Sequence, residues 1–556
     1  MLPAVQGSEH GEAGPALAGL MADDFPLTLQ HLLARMRAFP DAGGVVTALD
    51  DAVGRATFGE VVERIDRLAH ALGALGIGRG ERVATFAWNT QRHFECYFAI
   101  PCSGAVLHTV NPRLFARQIV YVINHAEDRL VFVDDSLAAA LAPLADQLDC
   151  VEHFVVMGDG DGAGLPRTLR YEELLAAAPT GAARYPALDE REAAALCYTS
   201  GTTGDPKGVL YSHRSSTLHA AGVLMSGGLG ISGADTVLVV VPMFHVNAWG
   251  LLYAAALAGA TLVLPGRHLG AARLAELISA ERATVMACVP TIYADLLRHA
   301  DEARPDLRSL RKAICGGSAM PISVARAFEE RHGVRLLHAW GMTETSPMCT
   351  VANVPEDLDS ERGWALRATQ GRPMPFVELR LVDDHGGDVP WDGSSTGEIE
   401  VRGPWIASAY YRDEDPSRFD DGWLRTGDIA HVDRDGWVTI TDRSKDVIKS
   451  GGEWISSVEL ENELMSHDAV REAAVIAISD ERWGERPLAC VVLADPARTD
   501  ANALREHLRD RVPGWWLPAE FAFIDEVPKT SVGKFDKKVL RAALAAGTLP
   551  GRVRID

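Results

Sequence analysis

The chain has 556 residues, and 54 Lys and Arg against 76 Asp and Glu give it a formal net charge of −22. A surface of this sign repels phosphate backbones, so the composition argues against a nucleic-acid-binding protein. Hydrophobic residues make up 47% and charged residues 23%, which excludes a disordered or fibrous chain and predicts several globular cores.

The cysteines and the apolar stretches indicate the compartment. Eight cysteines lie far apart, without zinc-ligand spacing, and predict reduced thiols in a cytoplasmic protein. Residues 1–24 carry acids and lack a continuous apolar stretch, so they predict a loose leader rather than a secretion signal. The most apolar stretch, 249–265, is too short and too rich in Ala and Gly to span a membrane. We expect buried core there and no integral membrane segment.

In chain order, the first strongly periodic segment is 57–75, where apolar residues recur at helical spacing. Short apolar runs that predict strands alternate with such helical segments. These runs are 82–87, 129–133, 236–241, 260–264, 283–289 and 312–315. The alternation predicts an α/β fold with mostly parallel sheets covered by helices.

The pattern changes after residue 371, where short strands at 378–382, 397–402 and 436–441 predict a β-rich subdomain. A charged run at 442–446 predicts a linker, and a separate helix–strand alternation follows it. The predicted organisation is a leader over 1–24, an N-terminal body over 25–441, a hinge over 442–446 and a small α+β C-terminal domain over 447–556.

The segment 198–209 combines hydroxyl residues and glycines with a lysine near its end. Glycines let backbone N–H groups approach phosphate oxygens, hydroxyls add donors, and Lys207 supplies positive charge. The segment is not a Walker loop, because Pro206 stands where the second glycine would be needed. A flexible linker is the alternative interpretation. The predicted phosphate-binding residues are Thr199, Ser200, Gly201, Thr202, Thr203, Gly204 and Lys207.

This loop resembles the phosphate loop of the adenylate-forming superfamily, which contains acyl-CoA synthetases, firefly luciferase and the adenylation domains of peptide synthetases. Further segments resemble the motifs of that family in the same order. They are 315–318, 340–345, 426–428, 442–446, 450–455 and 533–534. The resemblance runs from about residue 25 onward, and it is greatest to bacterial fatty-acyl-CoA synthetases and to their relatives that act on short thioether acids.

The resemblance implies an ATP site. Glu344 and Thr199 would hold Mg²⁺, which prefers hard oxygen ligands, and Asp428 would accept hydrogen bonds from the ribose diol. Arg443 would reach the sugar or a phosphate. Trp340 would stack on the adenine, where the family more often has a tyrosine. The other nucleotide-binding residues that the resemblance implies are Gly316, Gly317, Ser318, Gly341, Met342, Thr343, Lys449 and Trp454.

The resemblance also assigns the catalytic lysine to Lys534, near the substrate carboxylate and the α-phosphate. By position alone Lys534 would be interpreted as a solvated surface lysine. Lys445 matches the hinge of the family, although it also suits an ordinary linker. Rotation about this hinge would exchange the Lys534 loop for a second loop during thioester formation. That second loop contains Ser450, Gly451, Gly452 and Glu453.

The segment 241–249 resembles the acyl entrance of long-chain acyl-CoA synthetases. His245 would lie beside the substrate head as a catalytic residue, and Val246 and Trp249 would form the gate of an apolar pocket. Packing in the core is the alternative for both His245 and Trp249. The stretch lacks the aspartate that peptide synthetases use for an amino group, which argues against an amino-acid substrate.

The leading hypothesis is an ATP- and Mg²⁺-dependent ligase that joins a medium- or long-chain fatty acid to CoA through an acyl-AMP intermediate. A CoA ligase for a short thioether, branched or aromatic acid is the first alternative. A luciferase-like oxygenase and a non-catalytic acyl- or nucleotide-binding protein are the others. The resemblance further implies a homodimer.

Overall fold

The computed structural model describes a large part of the chain. The described residues are 25–50, 52–199, 205–355, 358, 361–383, 385–413, 416–443, 446, 448–450, 453–480, 482–494, 499–529 and 535–555. Some predicted site residues lie outside them, namely Ser200, Gly201, Thr202, Thr203, Gly204, Lys445, Gly451, Gly452 and Lys534. Only the backbone is described for Arg443, Lys449, Glu453 and Trp454.

The helices alternate with strands through most of the chain. They are α1 Leu29–Ala38, α2 Phe58–Ala74, α3 Gln91–Cys102, α4 Ala116–Ala126, α5 Asp135–Leu141, α6 Tyr171–Ala177, α7 His213–Leu224, α8 Val246–Trp249, α9 Leu251–Ala258, α10 Ala271–Glu281, α11 Pro290–Ala303, α12 Ile322–His332, α13 Glu361–Ala368, α14 Ser457–Met465, α15 Ala501–Arg509 and α16 Lys537–Ala545. Short 3₁₀ helices cover Ala142–Gln147, Thr343–Thr345 and Gly514–Trp516.

The strands that precede the β-rich subdomain are β1 Gly44–Ala48, β2 Val53–Thr57, β3 Arg82–Phe86, β4 Val106–Thr109, β5 Asp128–Asp134, β6 His153–Met157, β7 Thr168–Arg170, β8 Ala193–Tyr198, β9 Gly208–Ser212, β10 Thr236–Val239, β11 Thr261–Leu264, β12 Val285–Cys288, β13 Lys312–Cys315, β14 Leu336–Gly341, β15 Met348–Val351 and β16 Arg372–Pro373. The remaining strands are β17 Glu378–Val382, β18 Gly397–Arg402, β19 Phe419–Asp420, β20 Trp423–Val432, β21 Val438–Arg443, β22 Ile448–Ser450, β23 Glu453–Ile455, β24 Val470–Asp480, β25 Gly484–Leu493, β26 Glu520–Phe523 and β27 Arg552–Arg554.

Two large sheets form the N-terminal body in the described part of the chain. One has the strand order β16-β15-β14-β13-β12-β10-β11-β1-β2, and the other has the order β7-β6-β5-β3-β4-β8-β9. Pairing is parallel from β14 through β1 in the first sheet and from β7 through β8 in the second, and the antiparallel pairs lie toward the sheet edges. The predicted α/β fold with mostly parallel sheets is confirmed.

Helix α2 illustrates why the sequence folds in this way. The Thr57 side chain accepts from the Glu60 N–H, and the Glu60 carboxylate accepts from the Thr57 N–H in return, which fixes the start of the helix. The apolar face, with Ile65, Leu68 and Leu72, is fully buried against the neighbouring core. The helix predicted over 57–75 is therefore observed, with its first and last residues acting as caps.

The strand predicted over 236–241 ends two residues early, at Val239. The reason is a side chain from another element. The amide of Asn89 donates to the carbonyl oxygens of Val239 and Val241 at 2.8 and 2.9 Å, and its side-chain oxygen accepts from the Met243 N–H at 2.8 Å. These bonds satisfy the backbone outside the sheet and lead the chain away from it.

The segment 249–265 forms part of the buried core, as predicted, through α9 and β11. Within the described residues, no helix combines the length and the apolar character needed to cross a bilayer.

A mainly antiparallel sheet of β17, β18, β20, β19 and β21 forms the predicted β-rich subdomain. The last strand extends to Arg443, so the first two residues of the predicted hinge belong to a strand rather than to a free linker. Beyond it, β22–β27 form a mixed sheet that packs with α14–α16 and has hydrophobic clusters of its own.

Candidate active site

The phosphate loop predicted over 198–209 connects the antiparallel strands β8 and β9. Two hydrogen bonds close its base. The Thr199 N–H donates to the Lys207 carbonyl oxygen at 2.9 Å, and the Lys207 N–H donates to the Thr199 hydroxyl oxygen at 3.1 Å. Thr199 and Lys207 are thus held together at the two ends of the segment that carries the predicted phosphate ligands.

The side chain of Tyr410 contacts both Lys207 and Glu344. The ammonium group of Lys207 is 2.7 Å from Asp413 Oδ2 and 4.7 Å from the centre of the Tyr410 ring. The Tyr410 hydroxyl donates to Glu344 Oε1 at 2.6 Å. Burial, together with the nearby Glu344 carboxylate, raises the pKa of Tyr410, so the phenol stays a hydrogen-bond donor at neutral pH.

Glu344 lies in the short 3₁₀ helix after β14, and its side chain is buried. Two hydrogen bonds fix the backbone of this 3₁₀ helix. The Tyr211 hydroxyl donates to the Thr343 carbonyl oxygen at 2.7 Å. The Ala407 N–H donates to the Glu344 carbonyl oxygen at 2.8 Å. A buried carboxylate with one bonded oxygen suits a cation. In the described residues, no group of three His, Cys, Asp or Glu side chains could hold a metal, so phosphate oxygens would have to complete the coordination.

Asp428 and Trp340 are joined directly. The indole Nε1–H of Trp340, at the end of β14, donates to Asp428 Oδ2 in β20 at 2.8 Å. Asp428 is 7% exposed, and its backbone faces that of Arg443 across the β20–β21 pair. The two residues predicted to bind adenine and ribose therefore form one unit, in which the indole N–H holds the carboxylate.

The segments 315–318 and 340–345, together called the adenine motif, contain glycines that allow close approach of other groups. A Cβ on Gly316 would lie 2.9 Å from the Ala339 carbonyl oxygen and 3.1 Å from Cη2 of Trp249, and one on Gly341 would overlap the Pro347 carbonyl. Gly317 has φ of +86°, which glycine adopts without strain. Gly316 therefore contacts the predicted acyl gate. Ser318, Met342 and Thr343 lie at the ends of β13 and β14, beside this motif.

The predicted acyl gate is the segment α8, whose backbone is a left-handed turn rather than a regular α-helix. Val246, Asn247, Ala248 and Trp249 have φ of 46°, 49°, 50° and 57°. Such a conformation costs roughly 1–2 kcal/mol for each residue other than glycine. All four side chains are buried, and Trp249 is 7% exposed. This strained backbone must be fixed by its surroundings.

Asn247 anchors the turn to the ends of two strands of the second sheet. Its side-chain oxygen lies 3.3 Å from the Tyr97 hydroxyl and 3.3 Å from Cys197 Sγ. The Thr109 hydroxyl, at the end of β4, lies 3.5 Å from the same oxygen. Three potential donors therefore surround one acceptor, and they hold the turn against β4 and β8.

A histidine supports the far end of the turn. A Cβ on Gly250, which has φ of +71°, would lie 2.5 Å from Nδ1 of the buried His219. The Met348 N–H donates to Nε2 of His219 at 3.3 Å. Burial lowers the pKa of His219 to about 3, so its ring is neutral and can accept this bond.

His245 and Thr199 line one small cavity. Its walls also include His108, Tyr198 and Phe244. The structure thus brings Thr199, the first of the predicted phosphate-binding residues, to the histidine predicted to lie beside the acid.

The comparisons with known proteins agree with this arrangement. The family model described as AMP-binding enzyme matches residues 34–411, and the model for the AMP-binding enzyme C-terminal domain matches residues 459–534. The chain belongs to the AMP-binding enzyme family. The chain is 46% identical over 540 residues to a long-chain-fatty-acid–CoA ligase of Thermus thermophilus, with 96% of this chain and 98% of the relative covered.

Two further relatives of this AMP-binding enzyme are similar along most of their length. A medium-chain-fatty-acid–CoA ligase of Ectopseudomonas oleovorans is 45% identical, with 88% of this chain and 90% of the relative covered. A 3-methylmercaptopropionyl-CoA ligase of Ruegeria lacuscaerulensis is 43% identical, with 93% and 97% covered. An acid–thiol ligase of the AMP-forming type is therefore the class of this enzyme.

Solved structures show the same fold. The anthranilate CoA ligase AuaEII in complex with anthranoyl-AMP has a TM-score of 0.85 at 29% identity, with 95% of this chain and all of that chain covered. The o-succinylbenzoate CoA synthetase of Bacillus subtilis in complex with ATP and magnesium ion has a TM-score of 0.76 at 26% identity, with 92% and 98% covered. The AMP-binding enzyme described above therefore shares its fold with these two ligases.

The C-terminal segments of this AMP-binding enzyme carry the remaining predicted residues. Ser450 is buried at the end of β22, where its backbone pairs with Glu453 and Gly484, and Lys449 pairs with Trp454.

The acids of the predicted hinge have partners beyond it. Asp442 Oδ2 accepts from the Ser457 N–H at 2.7 Å, and Asp446 forms an ion pair with Arg541. Both acids of the predicted hinge therefore contact helices that follow it, α14 and α16.

Several contacts of the site were not predicted from the sequence. They involve Tyr410 and Asp413, which contact the ATP-side residues, and Asn247 and His219, which hold the acyl gate. Tyr410 belongs to no run of glycines, hydroxyls or charges, so the sequence carries no local signal for it. Asp413 stands in the charged run 412–415, which by itself is typical of an exposed loop and does not indicate an ATP site. Asn247 could have been noticed, because it is a polar residue within an apolar stretch.

Proposed function

We propose that the protein is an ATP-dependent acyl-CoA ligase that activates a medium- or long-chain fatty acid. The observation that carries the proposal is the shared cavity of Thr199 and His245, next to the closed base of the phosphate loop. It supports a reaction in which a carboxylate beside His245 meets the α-phosphate beside the loop. The similarity to fatty-acid–CoA ligases at 45% and 46% identity supports the choice of substrate.

In the first step, a carboxylate oxygen attacks the α-phosphorus of ATP, and pyrophosphate leaves as acyl-AMP forms. Lys207 and the backbone N–H groups of the loop hold the phosphates, and Asp428 holds the ribose. Mg²⁺, when bound by Glu344 and Thr199, neutralises charge on the phosphate oxygens. Lys534 orients the carboxylate toward the phosphorus.

In the second step, the CoA thiol attacks the acyl carbon, and AMP leaves. Lys534 and the thiol cannot occupy the same space, so we propose that the C-terminal domain over 447–556 rotates about the hinge over 442–446 between the steps. After rotation, the loop that contains Ser450 and Glu453 faces the body over 25–441. Arg443, Lys449 and Trp454 would then contact the nucleotide.

The Trp249 gate supports an apolar acyl substrate. The indole is 7% exposed and touches Gly316 of the adenine motif, so it closes the acyl side in this conformation. A short thioether acid is the second candidate, supported by the 43% identity to the 3-methylmercaptopropionyl-CoA ligase. Its small tail would need less displacement of the indole than a long chain.

The test is AMP release with ATP and Mg²⁺, with and without CoA, across acids from butyrate to palmitate and including 3-methylmercaptopropionate. We expect CoA-stimulated release with the highest kcat/KM for a medium- or long-chain acid. A preference for the thioether acid would favour the second candidate. Release of AMP that does not depend on CoA, or no turnover with any acid, would contradict the proposal.

Replacement of Lys534 tests the division into two steps. We expect Lys534→Ala to lower adenylation by orders of magnitude while thioester formation from supplied acyl-AMP largely persists. Lys529→Ala is the matched control, because Lys529 forms an ion pair with Glu472 at 2.5 Å and has no proposed contact with substrate. Equal adenylation by the Lys534 variant and the wild type would refute the assignment.

The cellular setting forms part of the same proposal. All eight cysteines are free, which supports a reducing compartment such as the cytoplasm. The homodimer implied by the resemblance is a further expectation. Light scattering on the purified protein distinguishes a dimer from a monomer.

A further inference from the structure

A buried histidine–aspartate pair lies at the edge of the candidate site. His108 Nδ1 and Asp128 Oδ2 are 2.6 Å apart, and both side chains are fully buried. His108 belongs to β4 and Asp128 begins β5, on either side of β3 in the second sheet. The pair is therefore held by the most regular part of the fold.

The pair leaves two polar atoms without a hydrogen-bond partner. Neither Nε2 of His108 nor Oδ1 of Asp128 has a partner among the described residues. An unsatisfied buried polar atom costs about 1–3 kcal/mol, so such an atom calls for a ligand or a functional explanation. The Tyr198 ring covers one side of the imidazole, with ring centres 5.0 Å apart.

His108 also lines the cavity whose other wall contains Thr199 and His245. Because Nδ1 is directed to Asp128, Nε2 occupies the opposite side of the imidazole ring. The cavity has a volume of about 10 Å³, which corresponds to one water molecule or one small group such as a sulfhydryl. It is too small for an acyl tail.

The hydrogen-bonding role of Nε2 of His108 indicates which reactant it can bind. Asp128 accepts from Nδ1–H of His108, which leaves a lone pair on Nε2, so His108 acts as an acceptor. The phosphates of ATP and the carboxylate carry no hydrogen at their reacting ends, but a thiol does. A hydrogen-bond acceptor on a residue that lines the same cavity as Thr199 and His245 therefore matches the thiol.

We propose that His108 is a catalytic base of the thiol step and that Asp128 is its positioning residue. The thiol proton moves to Nε2 of His108 as the sulfur forms a bond to the acyl carbon. The bond between that carbon and the AMP oxygen breaks, and its electron pair leaves with AMP. The Asp128 carboxylate stabilises the imidazolium, which then returns its proton to solvent. This inference rests on the proposed ligase function.

Other charged or titratable groups surround the pair. They are Arg82, His125, Cys150, Tyr198 and His245. Burial raises the pKa of Asp128, and the His108 ring and the Arg82 guanidinium partly offset this rise. Burial also raises the pKa of Tyr198, which therefore stays neutral and does not compete as a base.

The experiment separates the two half-reactions of the full-length enzyme. Adenylation is followed by ATP–pyrophosphate exchange, and thioester formation is followed in single turnovers that start from acyl-AMP and CoA. We expect His108→Gln to slow thioester formation about 100-fold and to leave adenylation within about 3-fold, because a base contributes roughly 10²–10⁴-fold to its own step. Asp128→Asn should slow the same step to a smaller extent.

The pH dependence supplies a readout that a structural role would not produce. At about pH 9–10 solvent ionises a thiol without help, so the deficit of His108→Gln should shrink there toward the wild-type rate. A deficit that stays constant across pH would overturn the proposal.

His93→Gln is the matched control. His93 is equally buried, but both ring nitrogens have partners, at 3.0 Å to the Trp88 carbonyl oxygen and at 2.9 Å to the Thr85 hydroxyl. Any loss in this variant should affect both half-reactions equally. If His108→Gln instead weakens adenylation and raises KM for the acid, His108 binds the carboxylate, and the proposal is wrong. No adenylation by the wild type would refute the ligase function itself.

Discussion

The nucleotide side and the acyl side of the candidate site are stabilised in opposite ways. Asp428 and Trp340 lie in regular strands and are joined by a 2.8 Å hydrogen bond. The acyl gate over 246–249 is a left-handed turn, and groups outside it hold it through the side chain of its own residue Asn247. A constant polar ligand such as ribose suits a fixed carboxylate, whereas a gate needs a conformation that is held but not intrinsically favoured.

Removal of the carboxylate should have the largest effect. We expect Asp428→Ala to lower kcat/KM for ATP about 100-fold or more, because the two charge-assisted bonds proposed to the ribose would be lost and the Trp340 N–H loses its acceptor. ATP–pyrophosphate exchange measures the effect. Asp435→Ala, at an exposed turn after the same strand, should retain wild-type kinetics. A small effect at Asp428 would remove it from the nucleotide side.

The neutral His219 predicts acid sensitivity of the acyl side. Its folded pKa of about 3 lies below the unfolded value, so protons bind preferentially to the unfolded chain as pH falls below about 6.5. The free energy of unfolding should therefore fall by about 1.4 kcal/mol per pH unit for this residue alone, down to about pH 3.

Urea unfolding of His219→Gln at several pH values checks this slope. In this variant the free energy of unfolding should fall less steeply as pH decreases than in the wild type. The control His385→Gln, at an exposed residue, should keep the wild-type slope. Identical slopes in wild type and His219→Gln would show that His219 is not the source.

Loss of the hydrogen bond from the Trp340 indole to Asp428 should weaken discrimination between ribose and deoxyribose. We expect Trp340→Phe to reduce the preference for ATP over 3′-deoxyATP about five- to tenfold, because one hydrogen bond contributes about 1 kcal/mol or slightly more to fixing Asp428. Trp405→Phe is the control, since its indole donates to the Met348 carbonyl oxygen instead. An unchanged preference in Trp340→Phe would mean that Asp428 is fixed without it.

The smallest effect concerns backbone strain. Ala248 and Ala255 are both fully buried, but Ala248 is in the left-handed turn and Ala255 is in the regular helix α9. Both glycine variants lose a buried methyl group, whereas only Ala248→Gly relieves strain. We expect it to be at least about 1 kcal/mol less destabilising than Ala255→Gly in urea unfolding. Equal losses would argue against strain at the gate.

The sequence predicts the nucleotide side better than the acyl side, and the reason is physical. Asp428 and Glu344 stand in the short motifs 426–428 and 340–345, so the resemblance of those motifs to the family is enough to propose their roles. Tyr410 contacts Glu344 from 66 positions away, and Tyr97 contacts Asn247 from 150 positions away. Such contacts depend on how the sheets pack, which residue patterns do not encode locally.

The same limit applies to the fold. Alternating periodicity predicts the parallel sheets, because buried strands and amphipathic helices each leave a clear pattern. The early end of β10 depends on the side chain of Asn89, which lies between β3 and α3 and leaves no trace in the sequence of β10 itself. Predicted strand ends are therefore less accurate than predicted strands.

The bond from Asp442 to the Ser457 N–H affects how the two parts of the chain can turn. A rotation about bonds that follow Asp442 stretches or breaks this bond, because it separates the end of β21 from helix α14. A rotation about bonds that precede Asp442 carries the bond along intact. The bond at the helix start contributes about 1 kcal/mol. Asp442 and Arg443 also pair with Ile429 and Asp428 of β20, so a pivot before Asp442 would break the end of the β20–β21 pair. The bond therefore acts as a latch between β21 and α14 in the proposed rotation.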